Sequence, residues 1–308
     1  NVDEVETSIK NLFSPIPAIE NPVSRPENLL AAKKGTKYLL ITDPEAPRTT
    51  VSLIILDQEP DKRARDLDYI RDGFVTSLMN TMMGNRFSEI VQKGTPPFIA
   101  GALSYSAELP RSYNALNVAA YTNDGQEAKG FEAAVTELER ARRHGFTKGE
   151  LERAKANMLS NFENLYKQKD KISNDDWAAQ IRDHFLTGEP IPSMDVQYNY
   201  YKEILPKITV EEVTSRLREL AIEDNRFVSI QGPADKEHMT EAEALAILEK
   251  VAAADIKPYE DVTGGSDLIS EELKGAEIVK TVSLPQFGAT EWTLSNGARV
   301  VFKHADYD

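Results

Sequence analysis

Apolar residues open the chain at Val2, Val5, Ile9, Leu12 and Phe13, the spacing of one helical face. Pro15, Pro17, Pro22 and Pro26 then break any regular pattern and predict a linker. Period-two and β-branched runs come after it. Tyr38-Leu39-Leu40-Ile41-Thr42 reads as a strand ended by Asp43-Pro44, and residues 49–56 read as a second. From 61 to 92 the period lengthens to that of a helix, through Leu67, Ile70, Phe74, Leu78, Met82, Phe87 and Ile90, with a break expected at Gly84. Residues 98–107 and 113–121 return to strand patterning.

A helical block comes next. Phe131, Ala134, Val135, Leu138 and Ala141 share one face, and Gly145 ends it. Thr147-x-x-Glu150 is a capping box, in which the hydroxyl accepts from the third amide and the carboxylate reaches back to the first. It opens a second helix through Leu151, Ala154, Met158, Phe162 and Leu165. Further helices are predicted at 174–186 and 196–205, and after a second box at Thr209-x-x-Glu212. A strand at 226–231 closes at Gly232-Pro233. The order from 30 to 232 is therefore β-β-α-β-β-α-α-α-α-α-β, which predicts an α+β domain, mostly antiparallel, with helices packed on one face. Beyond it, Thr240-x-x-Glu243 caps one more helix, 258–267 reads as loop, and 291–302 reads as a hairpin turning at Asn296-Gly297. That dipeptide suits a type I′ turn, and no partner strand is predicted for the hairpin.

The 308 residues carry a net charge of −14, so a polyanion such as nucleic acid is excluded as a partner. No apolar run reaches the length of a membrane span, and residues 1–4, Asn-Val-Asp-Glu, are not a signal peptide. With no starting Met and a helix at its first residues, the chain reads as an internal piece of a longer protein. The absence of cysteine removes disulfides, thiolate metal sites and cysteine nucleophiles.

Candidate chemistry is sparse. His144, His184, His238 and His304 are scattered, with no second histidine three or four residues from any of them, so no zinc motif is present. His144 suits the negative end of a helix. Gly264-Gly265-Ser266 reads as linker, Asp43-Pro44-Glu45 as a turn, and Trp177, Tyr198, Tyr200 and Tyr201 as core or interface aromatics. Arg86 is the one candidate binding residue. Its alternatives are an i,i+3 pair with Glu89 or recognition of a carboxyl group.

Six strings, in order, resemble the pitrilysin/insulysin family of inverted-motif zinc peptidases. They are 3–17, Thr42-Asp43-Pro44-Glu45, Asn85-Arg86-Phe87-Ser88-Glu89-Ile90, 136–155 with Phe146-Thr147-Lys148-Gly149-Glu150-Leu151, Ile208-Thr209-Val210-Glu211-Glu212-Val213, and 291–303. The resemblance implies one domain of the mitochondrial-processing-peptidase/LuxS-like metallohydrolase fold. It divides the chain into the tail of a catalytic domain (1–24), a complete non-catalytic second domain (25–235), a helical linker between halves (236–283) and the first hairpin of a third domain (284–308). It places the His-x-x-Glu-His motif upstream of Asn1, so zinc belongs to the parent protein and none to this chain. The family pairs an Arg with a Tyr seven residues later to hold substrate. Here Arg86 matches, but position 93 is Lys93, which implies the zinc-bearing half. The implied partners are a peptide or small protein substrate and the other domains of the same chain or a paired subunit. The alternative is a scaffold subunit without peptidase activity. A bacterial source is expected, in periplasm or cytoplasm.

Overall fold

A computed structural model describes residues 1–23, 30–57, 64–109, 113–261 and 273–305. The chain forms two compact units, Asn1–Asp261 and Val262–Asp308.

The first unit opens with α1 (Val2–Phe13), capped by Asn1, none of whose residues is buried. Strands β1 (Thr36–Asp43) and β2 (Thr49–Leu56) lead to α2 (Leu67–Gln92), β3 (Ala100–Leu109) and β4 (Tyr113–Thr122). Five helices come next: α3 (Glu127–His144), α4 (Lys148–Lys167), α5 (Asn174–Thr187), α6 (Met194–Ile204) and α7 (Val210–Leu220). Then come β5 (Arg226–Pro233) and α8 (Glu241–Ala253). The α+β order read from the sequence is the order observed.

The sheet runs β1-β5-β2-β4-β3. Three of its four pairings are antiparallel, and β1 lies parallel to β5. Because side chains alternate along a strand, pairing register sorts residues by face. Val51, Ala120 and Ile230 share one face with Leu53, Val118 and Val228. All six belong to the hydrophobic core, beneath α2 and α3. In α2, Leu78, Met79, Met82, Met83 and Phe87 are fully buried.

Two local expectations are corrected. Gly84 does not break α2, which continues through it, because a glycine inside a helix weakens it without stopping it. The helix begins at Leu67 rather than 61; there Asp66 caps it by accepting from the Tyr69 amide. Glycine is required elsewhere. Gly145 ends α3 at φ 74°, and a Cβ there would lie 2.8 Å from Thr214 Oγ1 on α7. All three capping boxes form, at Thr147/Glu150, Thr209/Glu212 and Thr240/Glu243. The helix α8, expected within a linker, inserts Ala244, Ile247 and Val251 into the core of this unit.

The second unit is a three-stranded sheet, β6 (Ile278–Leu284), β7 (Ala289–Leu294) and β8 (Arg299–Phe302), in that order. The hairpin therefore has a partner strand, β6, of which Ile278 to Ser283 fall inside the expected helical linker. Its turn is not type I′: only Gly297 has positive φ, 85°. The Gly297 amide donates to Leu294 C=O, and the Asn296 side chain accepts from Ala298 N–H. Gly264-Gly265-Ser266 lies outside the described residues.

Candidate functional site

The sheet's second face is the first candidate. Register places Leu39 and Ile41 beside Ser229 and Gln231, these beside Ser52 and Thr50, and these beside Ala119 and Tyr121. Ala102 and Ser104 continue the face at β3. Its middle is buried, at Ser52, Ala119 and Ser229, but none of these side chains joins the main core cluster beneath the helices. Most are small or polar, while Leu39, Ile41 and Tyr121 are exposed. An antiparallel sheet commonly solvates one face; here the helices cover the other.

The second candidate surrounds Arg86, which is 1% exposed. Helix α2 brings it to the α3–α4 corner. Its Nε donates to Glu150 Oε1 at 2.6 Å and its Nη2 to Glu150 Oε2 at 2.9 Å. Nη1 donates to Glu137 Oε1 at 3.2 Å, and Nη2 also reaches Gly145 C=O at 3.0 Å. A guanidinium gripped in two-point fashion by a carboxylate is the strongest form of this contact. The Phe146 and Tyr259 rings cover the cation, 5.0 and 4.3 Å from it. Burial disfavours its charge, but Glu150 and Glu137 outweigh that and raise its pKa above the ordinary value.

Glu150 serves twice. It is the capping-box carboxylate, accepting the Thr147 amide at 2.8 Å, and it is Arg86's main partner. Arg86 does not pair with Glu89, which instead accepts from the Tyr259 hydroxyl at 2.8 and 2.9 Å. Burial first, then this hydrogen bond, pushes the Tyr259 pKa well up. Lys93 lies at the C-cap of α2, its amide bonded to Ile90 C=O. The structure thus brings together Arg86, Glu137, Glu150 and Tyr259. Of these, the sequence singles out only Arg86 as a binding residue. A second role for Glu150 is invisible in a motif that already explains it, and Tyr259 lies in what reads as loop.

Three of the histidines bond to backbone. His144 Nε2–H donates to Ile256 C=O at 2.6 Å, His184 Nδ1 lies 2.7 Å from Glu189 C=O, and His238 Nε2–H donates to Pro233 C=O at 2.8 Å. His304 is exposed. Among the described residues, no group of three or more His, Cys, Asp or Glu side chains could hold a metal ion. No helix among them is long and apolar enough to cross a membrane. Of the aromatics, Tyr200 and Tyr201 pack on the core, Tyr198 stacks on Tyr166 at 4.3 Å, and Trp177 is 39% exposed. Asp43 forms the expected turn, its Oδ1 accepting the Glu45 amide at 2.7 Å.

A one-sided, mostly antiparallel sheet backed by helices is the α+β architecture of an M16 peptidase domain. Residues 1–158 match the family model described as the Peptidase M16 inactive domain, and the chain belongs to that family. It is similar to the zinc protease PQQL-like of Arabidopsis thaliana, at 22% identity over 97% of this chain and 28% of that protein. It is also similar to the probable zinc protease PqqL of Escherichia coli K12, at 24% identity over 73% of this chain and 24% of that one. Among solved structures, the periplasmic protease PqqL from E. coli superposes over 100% of this chain and 34% of its own, with a TM-score of 0.74 and 21% identity. The ferredoxin protease FusC, solved as a mutant in complex with Arabidopsis ferredoxin, superposes over 99% and 34%, with a TM-score of 0.63 and 16% identity. At these identities the superpositions establish the fold. The chain spans about a quarter of the length of the curated relatives.

Proposed function

We propose that this chain is a non-catalytic part of a zinc-dependent endopeptidase, and that the open face of its five-stranded sheet walls the chamber that holds the peptide. The carrying observation is the one-sidedness of the sheet: core side chains beneath α2 and α3, small and polar ones opposite. Extended peptide lies along such a surface without steric conflict, and Leu39, Ile41 and Tyr121 offer it apolar contacts. Membership of the M16 inactive-domain family supports the reading, as does similarity to proteins named zinc proteases. The parent protein supplies zinc from a His-x-x-Glu-His motif preceding residue 1. Arg86 then holds the α2–α4 corner of the wall rather than gripping substrate, since both carboxylates already occupy it. Helix α1, with no buried residue, packs against the preceding domain, and β6 to β8 begin the next one.

The test uses the full-length parent. It cleaves peptides, and chelator abolishes cleavage; the present chain alone cleaves none and carries no stoichiometric zinc. Thr50→Trp or Ser104→Trp, on the open face, raises KM for long peptides without moving the melting temperature. A parent without the motif and without chelator-sensitive cleavage overturns the proposal, and the scaffold subunit then takes its place.

A further inference from the structure

Helices α2, α6 and α7, with the loop before α6, enclose a cavity of about 450 Å³ beside the edge strand β3. Its walls are mainly rings: Tyr69 and Phe74 from α2, Pro190 and Pro192 from the loop, Tyr200 and Tyr201 from α6. Apolar walls at this volume, with a few polar groups placed among them, are the usual make-up of a small-molecule site. Gly73 of α2 also lines the cavity, and a Cβ there would meet nothing within 4 Å. The space beside the helix is therefore open.

Arg216 of α7 brings a cation to this wall. Its Nε is enclosed without an acceptor among the described residues, and Nη1 stands 3.6 Å from Glu219, too far for a hydrogen bond. That Glu219 side chain is itself 66% exposed, so it offsets little of the charge. The Tyr105 ring backs the guanidinium at 5.0 Å. Arginines close by are satisfied: Arg71 donates to Glu212, and Arg218 to the carbonyls of Arg142 and Arg143. Buried donors are rarely left unpaired, so Arg216 marks a place where an acceptor belongs. The carboxylates of the wall do not fill it. Glu189 accepts the Tyr69 hydroxyl at 2.8 Å and faces Arg65 at 3.4 Å, and Asp72 is engaged as well.

We propose that this cavity binds a small carboxylate carrying an aromatic body. The carboxylate accepts from Nη1 and Nη2 of Arg216, a planar two-point contact, and the body lies among the rings of Phe74, Tyr200 and Tyr201. A free aromatic acid and the C-terminal aromatic residue of a peptide share this chemistry. The site stands independently of the peptidase reading. Tyr105 packs on the core side of β3, whereas Ala102 and Ser104 belong to the open face of the sheet.

Calorimetric titration of the 308-residue chain tests this with 3-phenylpropionate and its neutral amide. The acid binds one to one with a Kd at or below about 1 mM, and the amide binds at least about tenfold more weakly. Arg216→Gln weakens the acid by at least about tenfold and leaves the amide unchanged. Gly73→Leu, whose side chain enters the open space and favours the helix, abolishes binding of both while circular dichroism shows the fold intact. A short peptide ending in Phe, with a free or an amidated C-terminus, separates the two sources. Binding of the free-ended peptide alone assigns the site to peptide ends as well as to small acids, and binding of 3-phenylpropionate without either peptide assigns it to small acids. No saturable binding of either acid, an amide that binds as tightly as its acid, or binding that survives both Arg216→Gln and Gly73→Leu overturns the proposal.

Discussion

At the scale of single residues, Glu150 carries the most consequence for its size. It neutralises a buried cation and caps α4, and it is 4% exposed. Replacing it with Gln leaves Arg86 short of a charge partner in a dry site. The expected loss is about 3–5 kcal/mol, seen as a lower midpoint in denaturant, because an uncompensated buried charge costs more than the pair contributed. Glu139 gives a pH signature. Burial pushes its pKa up, but Arg142 and Arg143 together outweigh burial and hold it below the ordinary 4.5. Its contribution is therefore fully present above pH 4.5 and is lost as pH falls through the lower folded value. Glu139→Gln removes that contribution, so its melting temperature falls less steeply on acidification than that of the unchanged chain. Tyr105 behaves oppositely. Burial, aided by Asp57, pushes it up to about 12, so its hydroxyl stays protonated above the usual 10 and its contribution fades as pH rises towards 12. An ultraviolet titration of Tyr105→Phe lacks one late-ionising phenol.

At the scale of elements, packing is tight where β3 crosses α2. A Cβ at Gly101 would collide with the Phe87 ring and lie 2.9 Å from Phe98. Gly101→Ala is expected to cost about 1–3 kcal/mol through overpacking, measured by thermal melting. Helices are legible where caps and periodicity agree: Thr147, Thr209 and Thr240 each mark a start to the residue. Gly84 misleads because the core holds α2 together on both sides of it, through Met82, Met83 and Phe87. Strand β6 is not legible, since Ile278 to Leu284 gain their meaning only by pairing with β7.

At the scale of the molecule, the two compact units predict separable folding. A chain ending at Asp261 keeps the core and the five-stranded sheet, so it should melt cooperatively near the temperature of the longer chain. A three-stranded sheet with Val301 and Phe302 exposed buries too little to match it.

The sequence by itself determined the order of strands and helices in the first unit, the capped helix starts and the exclusion of thiolate chemistry, because these depend on short-range periodicity, hydrogen bonding and composition. It also singled out Arg86, though not what holds it. Tertiary structure alone decided that Glu137 and Glu150 meet that guanidinium, that β1 runs parallel to β5, which face of the sheet stays open, and that Tyr259 closes over the cluster. Those facts join residues as far apart as Tyr259 and Glu89, which stand 170 positions from each other. No local pattern records such a meeting. It exists only once a shared core fixes both ends in place.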